Sequence, residues 1–291
     1  MITLNDYCKV QFGEKLYKIS LNGGMSCPNR DGTLDTRGCI FCSAGGSGDF
    51  TPPLSMSMEE QIEDAKRRVA GKFSGSRYIA YFQSYTNTYA SVDYLRQLFM
   101  PVILRDDIAV LSIATRPDCL GDDVLALLDE LNRIKPLWVE LGLQTVHPKT
   151  AEYIRRGYGL EVYDNAIRRL NALGIHTVTH VILGLPHETR EDMLATVQHV
   201  KDMHSGGIKL QLLHVLKDTD LAADYAAGKF QVMELNDYVN LICDCVRLMG
   251  DSMVIHRLTG DGPKKILLAP QWSGNKKRVI NAINRALAHT D

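Results

Sequence analysis

Short apolar runs alternate with amphipathic helical patterns along most of this chain, and that alternation limits the fold more than any other feature. Six runs have the length and composition of strands, at 17–21, 78–82, 108–113, 137–143, 177–182 and 207–213. Five helical patterns lie between them, at 58–70, 92–100, 122–134, 162–173 and 191–203. Strands separated by helices long enough to cross back over a sheet predict βαβ units and a parallel sheet.

Repeated βαβ units predict an α/β fold, built as a partial or complete barrel of the triosephosphate isomerase kind. The chain has 291 residues, which is long enough for one domain with a large buried core. We place the barrel at 1–260, including a cysteine-bearing loop at 26–43. The remaining residues, 261–291, form a basic C-terminal extension.

Three cysteines share the loop that follows the first predicted strand. Eleven residues separate Cys27 from Cys39, and two separate Cys39 from Cys42. Thiolates bind zinc ions or iron–sulfur clusters. A structural zinc site takes four protein ligands, and only Cys8 could be the fourth in this half, because the first histidine is His147. A set of three fits better with a cluster that keeps one iron open, and zinc with Cys8 stays the alternative.

Polar residues recur where the predicted strands end. They occupy 83–89, 115–118, 140–144, 180–188 and 213–216. Active sites of parallel barrels lie at the carboxyl ends of the strands. Because five polar segments at one end are hard to explain as core filling, they predict a functional site at that end.

Composition favours an enzyme of the cytoplasm. The residues are 45% hydrophobic and 23% charged, and the formal net charge is −1. The chain begins without a basic region followed by an apolar core, so we expect no signal peptide. No apolar run approaches the roughly 18 residues of a membrane span, so we expect no membrane partner. Free thiols without secretion indicate a reducing compartment.

Two groups of basic residues stand out against this near-neutral charge. One consists of Lys264, Lys265, Lys276, Lys277, Arg278 and Arg285. The other consists of Arg155, Arg156, Arg168 and Arg169. Clustered basic side chains bind nucleic-acid phosphates, but solvated helix faces have the same composition. Both interpretations stay open.

The cysteine loop resembles that of a known family. It reads Ser-Cys-Pro-Asn-Arg-Asp-Gly-Thr at 26–33 and Gly-Cys-Ile-Phe-Cys at 38–42. This resembles the radical S-adenosylmethionine (SAM) superfamily, in the branch of the Elongator catalytic subunit and especially the bacterial YhcC/YtqA group. Common members have three residues between the first two cysteines, where this chain has eleven. The resemblance implies a partial (β/α)6 barrel, and a [4Fe–4S] cluster held by Cys27, Cys39 and Cys42 with SAM on the fourth iron.

The same resemblance assigns SAM-binding roles to residues near the strand ends. Phe41 takes the place of an aromatic residue near the adenine. Gln83 and Ser84 match a position that usually carries a Gly-Gly-Glu type motif for the methionine amino group, although the glutamate is absent. Residues 140–144 resemble a Glu-Leu-Gly-Val-Gln element, which makes Gln144 a ribose contact. Arg156 is then the expected partner of the methionine carboxylate. We also expect roles for Glu140, His180, Gly184 and Val215: the first three lie in matching motifs, and Val215 offers backbone to the adenine.

Two alternatives for these residues remain. Glu140 could simply pair with a basic side chain, and His180 could be a hydrogen-bonded core histidine. The segment 253–263 resembles the closing motif of the YhcC/YtqA group, and within it we expect His256 and Arg257 to face the substrate.

The resemblance implies an enzyme that cleaves SAM reductively to a 5′-deoxyadenosyl radical, with an electron donor such as flavodoxin or ferredoxin. The expected substrate is a tRNA, at the carbon-5 side chain of a wobble uridine. One alternative is a radical enzyme acting on a small metabolite. Another is a non-catalytic zinc-bound or cluster-bound adaptor that recognises RNA.

Overall fold

One curled sheet of eight parallel strands forms the centre of the protein. The computed structural model describes residues 1–46, 48, 51–73, 75–260 and 262–288. The strands of the chain are β1 (Ile2–Thr3), β2 (Tyr17–Leu21), β3 (Tyr78–Phe82), β4 (Ile108–Thr115), β5 (Leu137–Gln144), β6 (His176–Leu183), β7 (Gly207–Leu212), β8 (Val215–Leu216), β9 (Val254–Arg257) and β10 (Leu267–Ala269). The order in the large sheet is β1-β9-β7-β6-β5-β4-β3-β2, while β8 and β10 form a separate antiparallel pair.

Helices connect most of these strands and cover the outside of the sheet. They are α1 (Leu4–Phe12), α2 (Met58–Val69), α3 (Val92–Ile103), α4 (Asp122–Ile134), α5 (Pro148–Tyr153), α6 (Leu160–Ala172), α7 (Arg190–Asp202), α8 (Asp220–Ala226), α9 (Leu235–Met249) and α10 (Lys276–Ala288). Capping boxes fix two of the starts: Ser57 with Glu60 begins α2, and Thr189 with Asp192 begins α7.

The predicted α/β partial barrel is confirmed. The six predicted strands are β2 to β7, and each lies within a residue or two of its predicted ends. The sheet extends further than predicted, because β9 pairs with β7 and β1 pairs with β9, both in parallel. Strand β1 has two residues, which is too short for a periodic pattern to reveal.

Helix α1 lies beneath the amino ends of the strands. Its two neighbours in the chain, β1 and β2, stand at opposite ends of the sheet order. Cys8 of α1 and the nearby Leu16 are buried in one apolar cluster with Ile79, Val110 and Trp138. This packing fills the amino end of the barrel and leaves the carboxyl ends as the open face.

The C-terminal segment packs on the barrel. Strand β10 pairs with β8, just beyond the carboxyl end of β7. Val279 and Ile283 of α10 are fully buried in the main core. The predicted boundary after residue 260 stays a prediction. Within the described residues, no helix has both the length and the apolar character required to cross a bilayer.

Candidate functional site

A cavity of about 170 Å³ opens at the carboxyl ends of the strands. Cys27, Cys39 and Cys42 all line it, and so do inward-facing side chains of β3, β5, β6, β7 and β9. The sequence predicted a site at this end because polar residues follow several strands there. The cavity joins those segments to the cysteine loop.

The cysteine loop is folded onto itself by backbone hydrogen bonds. The N–H of Arg30 donates to the Cys27 carbonyl over 2.8 Å, and the Cys42 N–H donates to the Cys39 carbonyl over 3.0 Å. Gly38 has φ +75°, and a Cβ there would lie 2.9 Å from the Arg30 side chain. Glycine therefore lets the chain turn tightly beside Arg30. These contacts bring three cysteines that are distant in sequence to one cavity.

Polar and basic groups surround the three thiols. Asn29 Nδ2 lies 3.5 Å from Cys39 Sγ. The Arg30 guanidinium donates to the carbonyls of Cys42 at 3.0 Å and Ser43 at 2.6 Å. Burial, reinforced by the Cys42 thiol nearby, raises the pKa of Cys39 to about 12. A buried thiol of this kind becomes a stable thiolate when a metal takes the proton's place, and nearby donors then stabilise its charge.

This donor set fits a [4Fe–4S] cluster with three protein ligands. Three soft thiols line one cavity, and an amide and a guanidinium stand beside them as outer donors. The zinc alternative loses its fourth ligand, because Cys8 is buried in the apolar cluster at the other end of the barrel. In the described part of the chain, no three His, Cys, Asp or Glu side chains are grouped to hold a single metal ion.

Gln144 stands at the end of β5 in an unusual backbone conformation. The β5–β6 register shifts between Gly142 and Gln144, and Gln144 has φ +69°. A non-glycine residue in the left-handed region is uncommon and often marks a functional position. The bulge leaves the Gln144 side chain in the cavity lining, where the predicted ribose contact would need it.

Two arginines and a tyrosine brace the wall beside Gln144. The Arg156 guanidinium donates to the carbonyls of Leu143 at 2.9 Å, Thr145 at 2.6 Å and Tyr158 at 3.0 Å. Arg116 donates to the Arg156 carbonyl over 3.0 Å. Both guanidinium groups lie within 4.9 Å of the Tyr158 ring centre. Arg156 thus lines the cavity, but its guanidinium already donates hydrogen bonds to three backbone carbonyls. Its predicted role in binding the methionine carboxylate stays a prediction.

Glu140 is the centre of a charged layer deeper in the barrel. It is fully buried and accepts hydrogen bonds from Lys18 at 2.7 Å, Ser112 at 2.8 Å and Lys209. Lys18 and Ser112 bind Oε1, whereas Lys209 binds Oε2. His180 Nε2 lies 2.7 Å from the same Oε2. Glu140 therefore pairs with basic side chains, as the alternative interpretation had it, and it also lines the cavity; its SAM-binding role stays a prediction.

The layer contains more basic than acidic side chains. Burial alone would raise the pKa of Glu140, but Lys18 and Lys209 hold it well below its usual range. Burial lowers the pKa of Lys209; Glu140 opposes that shift, and Lys18 and Arg257 add to it. Burial and the Lys209 charge lower the pKa of His180 to about 4, so its ring is neutral near pH 7. A layer of this kind favours substrate groups that accept hydrogen bonds.

The other predicted residues divide into two sets. Phe41 and Gln83 line the cavity, and Gln83 accepts a hydrogen bond from Ser20 at 3.0 Å. Three others lie outside the lining. Ser84 contacts Thr51 Oγ1 at 2.9 Å, Gly184 (φ +86°) faces Met233, and Val215 is fully buried in β8. Their SAM-binding roles stay predictions.

His256 and Arg257 occupy different depths of the barrel. A register shift in the β7–β9 pairing falls at His256. Arg257 lines the cavity, whereas the His256 ring lies in the amino-end layer, 5.8 Å from His176 and 5.1 Å from Trp138 between ring centres. The structure thus contradicts a substrate-facing His256, because the strand irregularity directs this ring toward the amino end, where it packs on Trp138 and His176.

Three residues of the charged layer had no predicted role from the sequence. Lys18, Tyr81 and Lys209 belong to the charged layer, with Tyr81 between the two ammonium groups at 4.3 and 4.4 Å from its ring centre. A signal for them exists in the sequence. Lys18 and Ser20, like Lys209 and Gln211, are polar residues at alternate positions of otherwise apolar strands, which marks one strand face as lining a polar interior.

Comparison with known proteins identifies the family. Residues 36–200 match the Radical SAM superfamily, and residues 206–289 match the Radical_SAM C-terminal domain. The chain belongs to the radical SAM superfamily. It is 46% identical over 285 residues to the uncharacterized protein YtqA of Bacillus subtilis, covering 98% of this chain and 88% of that protein. It is 36% identical over 278 residues to protein YhcC of Escherichia coli, covering 95% and 89%.

More distant similarities extend to one tRNA-modifying enzyme and to solved structures. A tRNA uridine(34) acetyltransferase of Methanocaldococcus jannaschii is 23% identical over 161 residues, covering 54% of this chain and 29% of that protein. The archaeal Methanocaldococcus infernus Elp3 shares the fold, with TM-score 0.67 and 14% identity over 90% of this chain and 63% of the other. Coproporphyrinogen III oxidase of Escherichia coli, a radical SAM enzyme, gives TM-score 0.55 and 14% identity over 84% and 55%.

Family membership defines the cofactors. Radical SAM enzymes bind a [4Fe–4S] cluster and SAM, so these are the cofactors of this protein. The three cavity cysteines are the residues that would hold the cluster.

Proposed function

We propose that this radical SAM enzyme modifies the carbon-5 side chain of a wobble uridine in tRNA. The observation that carries the proposal is that Lys264 and Lys265 of the basic C-terminal extension line the same cleft as Cys42 of the cysteine loop. Strand β10 pairs with β8 at the carboxyl end, and α10 begins a few residues later with Lys276, Lys277 and Arg278. The similarity to a tRNA uridine(34) acetyltransferase supports this choice of substrate.

The basic start of α10 is unfavourable for the helix itself. Backbone N–H groups make the start of a helix electropositive, so acidic residues stabilise it there. Helices α2 and α7 follow that rule with acidic first turns, whereas α10 has none. Three cations concentrated at a positive helix end supply a site for phosphate groups, which supports RNA as the ligand.

The protein's own part in the reaction is to hold, orient and enclose. Cys27, Cys39 and Cys42 would bind three irons and leave the fourth for SAM. When bound, these cofactors supply a 5′-deoxyadenosyl radical that removes a hydrogen atom from the substrate. Gln144 and Phe41 border the space beside the cysteines, where they would orient the nucleoside part of SAM. Arg116 and Arg156 keep that wall rigid through their backbone contacts.

A small metabolite is the second candidate substrate. The near-neutral net charge of −1 favours it, because RNA-binding proteins commonly carry a positive surface. In both cases the electron would come from a small carrier such as flavodoxin or ferredoxin.

The nucleosides of bulk tRNA test the proposal. Cells lacking the protein should accumulate a precursor form of a carbon-5-substituted wobble uridine, measured by liquid chromatography and mass spectrometry. The wild-type gene should restore the mature nucleoside, and a Cys39→Ala gene should not. An identical nucleoside profile with and without the protein would favour the metabolite.

A further inference from the structure

A second and larger cleft opens on the side of the barrel, with a volume of about 1070 Å³. It lies where the half-barrel stays open: Tyr17 and Ser20 of β2 form one side, and β7 and the segment 262–266 form the other. We call this space the seam cleft. The opening follows from the topology, because β2 is an edge strand of the sheet and, among the described strands, pairs with β3 alone.

The seam cleft leads into the cavity at the cysteine loop. Phe41, Cys42, Gln83, Gln211 and Arg257 line both spaces. A molecule that entered from the side would therefore arrive directly beneath the cysteine loop and beside Arg257 of the charged layer.

The outer rim of the seam cleft is basic on both sides. Lys72 lies on one side, and Lys264 and Lys265 lie on the other; all three are exposed. Within the described residues none of the three forms an ion pair, and no Asp or Glu lines the cleft. Three exposed ammonium groups on one rim attract an anion.

Inside the rim the character of the cleft changes. Phe41 contributes an aromatic ring, and Gln83 and Gln211 contribute amides that can both donate and accept hydrogen bonds; all three also line the inner cavity. A second ring, that of Tyr17, packs on Phe73, the neighbour of Lys72. Aromatic rings stack on nucleobases, and amides bind their polar edges. Outer ammonium groups followed by rings and amides match the order of groups along one nucleotide, from phosphate to base.

We propose that the seam cleft admits a single nucleotide turned out of the RNA, with Lys72, Lys264 and Lys265 binding its flanking phosphates. Chemistry on a base requires that the base leave its stack, and a lateral opening into the cavity provides the route. Gln83 and Gln211 then face the base as it approaches Arg257. This inference rests on the proposed function, since it says how the same site takes up tRNA.

Binding of bulk tRNA from cells lacking the protein tests the inference. The reconstituted enzyme is compared with a Lys72→Ala/Lys264→Ala/Lys265→Ala variant across a KCl series. A Lys9→Ala/Lys15→Ala/Lys149→Ala variant removes the same charge from exposed positions outside the cleft. We expect the seam variant to bind at least about tenfold more weakly, with a slope of log affinity against log salt shallower by about 2, as three lost phosphate contacts require. The control variant should bind like the wild type.

Replacing the same three lysines by arginine keeps the charge and should keep the affinity, which separates phosphate binding from a folding defect. A seam alanine variant that binds with wild-type affinity and salt slope would overturn the inference and leave the proposed function standing. Equal weakening in the seam and control variants would also overturn it, because general charge would then account for binding. If cells that lack the protein have the same tRNA nucleosides as wild-type cells, that result would instead count against the proposed function.

Discussion

The two ends of the barrel interior use similar side chains for different purposes. At the carboxyl end, the thiols, Arg116 and the Glu140 layer border a cavity. At the amino end, His176 and His256 pack with Trp138 and with Tyr7 of α1, with ring centres 5.1 to 6.1 Å apart. Both ends hold histidines, and among the described residues the cavity at the cysteine loop is lined by His180, not by His176 or His256. Position along the strand therefore says more about function than residue type does.

The difference is also electrostatic. Burial lowers the pKa of His176 to about 4 and that of His256 well below its usual range, so both rings are neutral in the folded protein. At the carboxyl end, by contrast, Lys18 and Lys209 keep the buried Glu140 ionised. We expect substitutions at the carboxyl end to change cofactor and substrate binding, and those at the amino end to change stability.

The largest expected effect is loss of the cluster. Alanine at Cys27, Cys39 or Cys42 removes one of three ligands, so anaerobic reconstitution should leave little iron and sulfide. The matched controls are Cys8→Ala and Cys245→Ala, which change buried thiols outside the cavity and should keep about four irons per chain. Full cluster content in Cys39→Ala, or its loss in a control that remains folded, would break the distinction between the two ends.

Glu140→Ala should cost stability on a scale rarely seen for one residue. It leaves Lys18 and Lys209 in the barrel without their carboxylate, and such a buried unpaired charge costs about 3–5 kcal/mol. Urea unfolding at pH 7 measures the change. A second substitution, Lys209→Met, should recover part of the loss. A destabilisation of Glu140→Ala below about 1 kcal/mol would show that the layer does not depend on this carboxylate.

The amino-end histidines should make the protein sensitive to acid. The pKa of His176 is lower in the fold, at about 4, than its ordinary value of 6.5, so the unfolded chain binds the proton more readily. Stability is therefore fully present above pH 6.5 and is lost as the pH falls toward 4, by roughly 2–3 kcal/mol for this ring. His176→Phe should flatten that decline in chemical unfolding measured from pH 7 to pH 4. An exposed histidine replaced as control, His187→Asn, should leave the decline as in the wild type.

Gln144→Gly should have the smallest effect, and a local one. Glycine tolerates the φ of +69° and removes only the side chain, so the loss should be that of one hydrogen bond to SAM, about 1 kcal/mol or roughly fivefold in affinity. Equilibrium dialysis with the reconstituted protein measures the affinity, while cluster content should stay unchanged. If Gln144→Gly binds SAM with wild-type affinity, Gln144 does not contact the ribose and another residue must do so.

Sequence reasoning predicted the barrel because its signals are local and repeated. Six apolar runs alternate with five helical patterns, and the loop containing Cys27, Cys39 and Cys42 carries an extended family motif. Strands β1 and β9 were not predicted, because two and four residues are too few to show the alternation of apolar and polar side chains that marks a strand. Their pairing also depends on contacts between residues that are distant in the chain.

Depth along a strand was the part that sequence could not provide. His256 and Arg257 are adjacent in sequence, and only the irregular β7–β9 pairing separates their layers. Lys209 carried no motif, although its ion pair with Glu140 joins residues of two strands that are not neighbours in the sheet. Such partnerships arise from the closure of the sheet around the interior, which no local pattern encodes.

The most direct measurement follows 5′-deoxyadenosine from the anaerobically reconstituted and reduced protein with SAM and tRNA from cells lacking the protein. We expect 5′-deoxyadenosine to form in the wild type, to increase with this tRNA, and to accompany a mass change in one wobble uridine. We expect none from Cys39→Ala. No 5′-deoxyadenosine from a wild-type protein with a full cluster would contradict the assignment of the carboxyl end as the radical site.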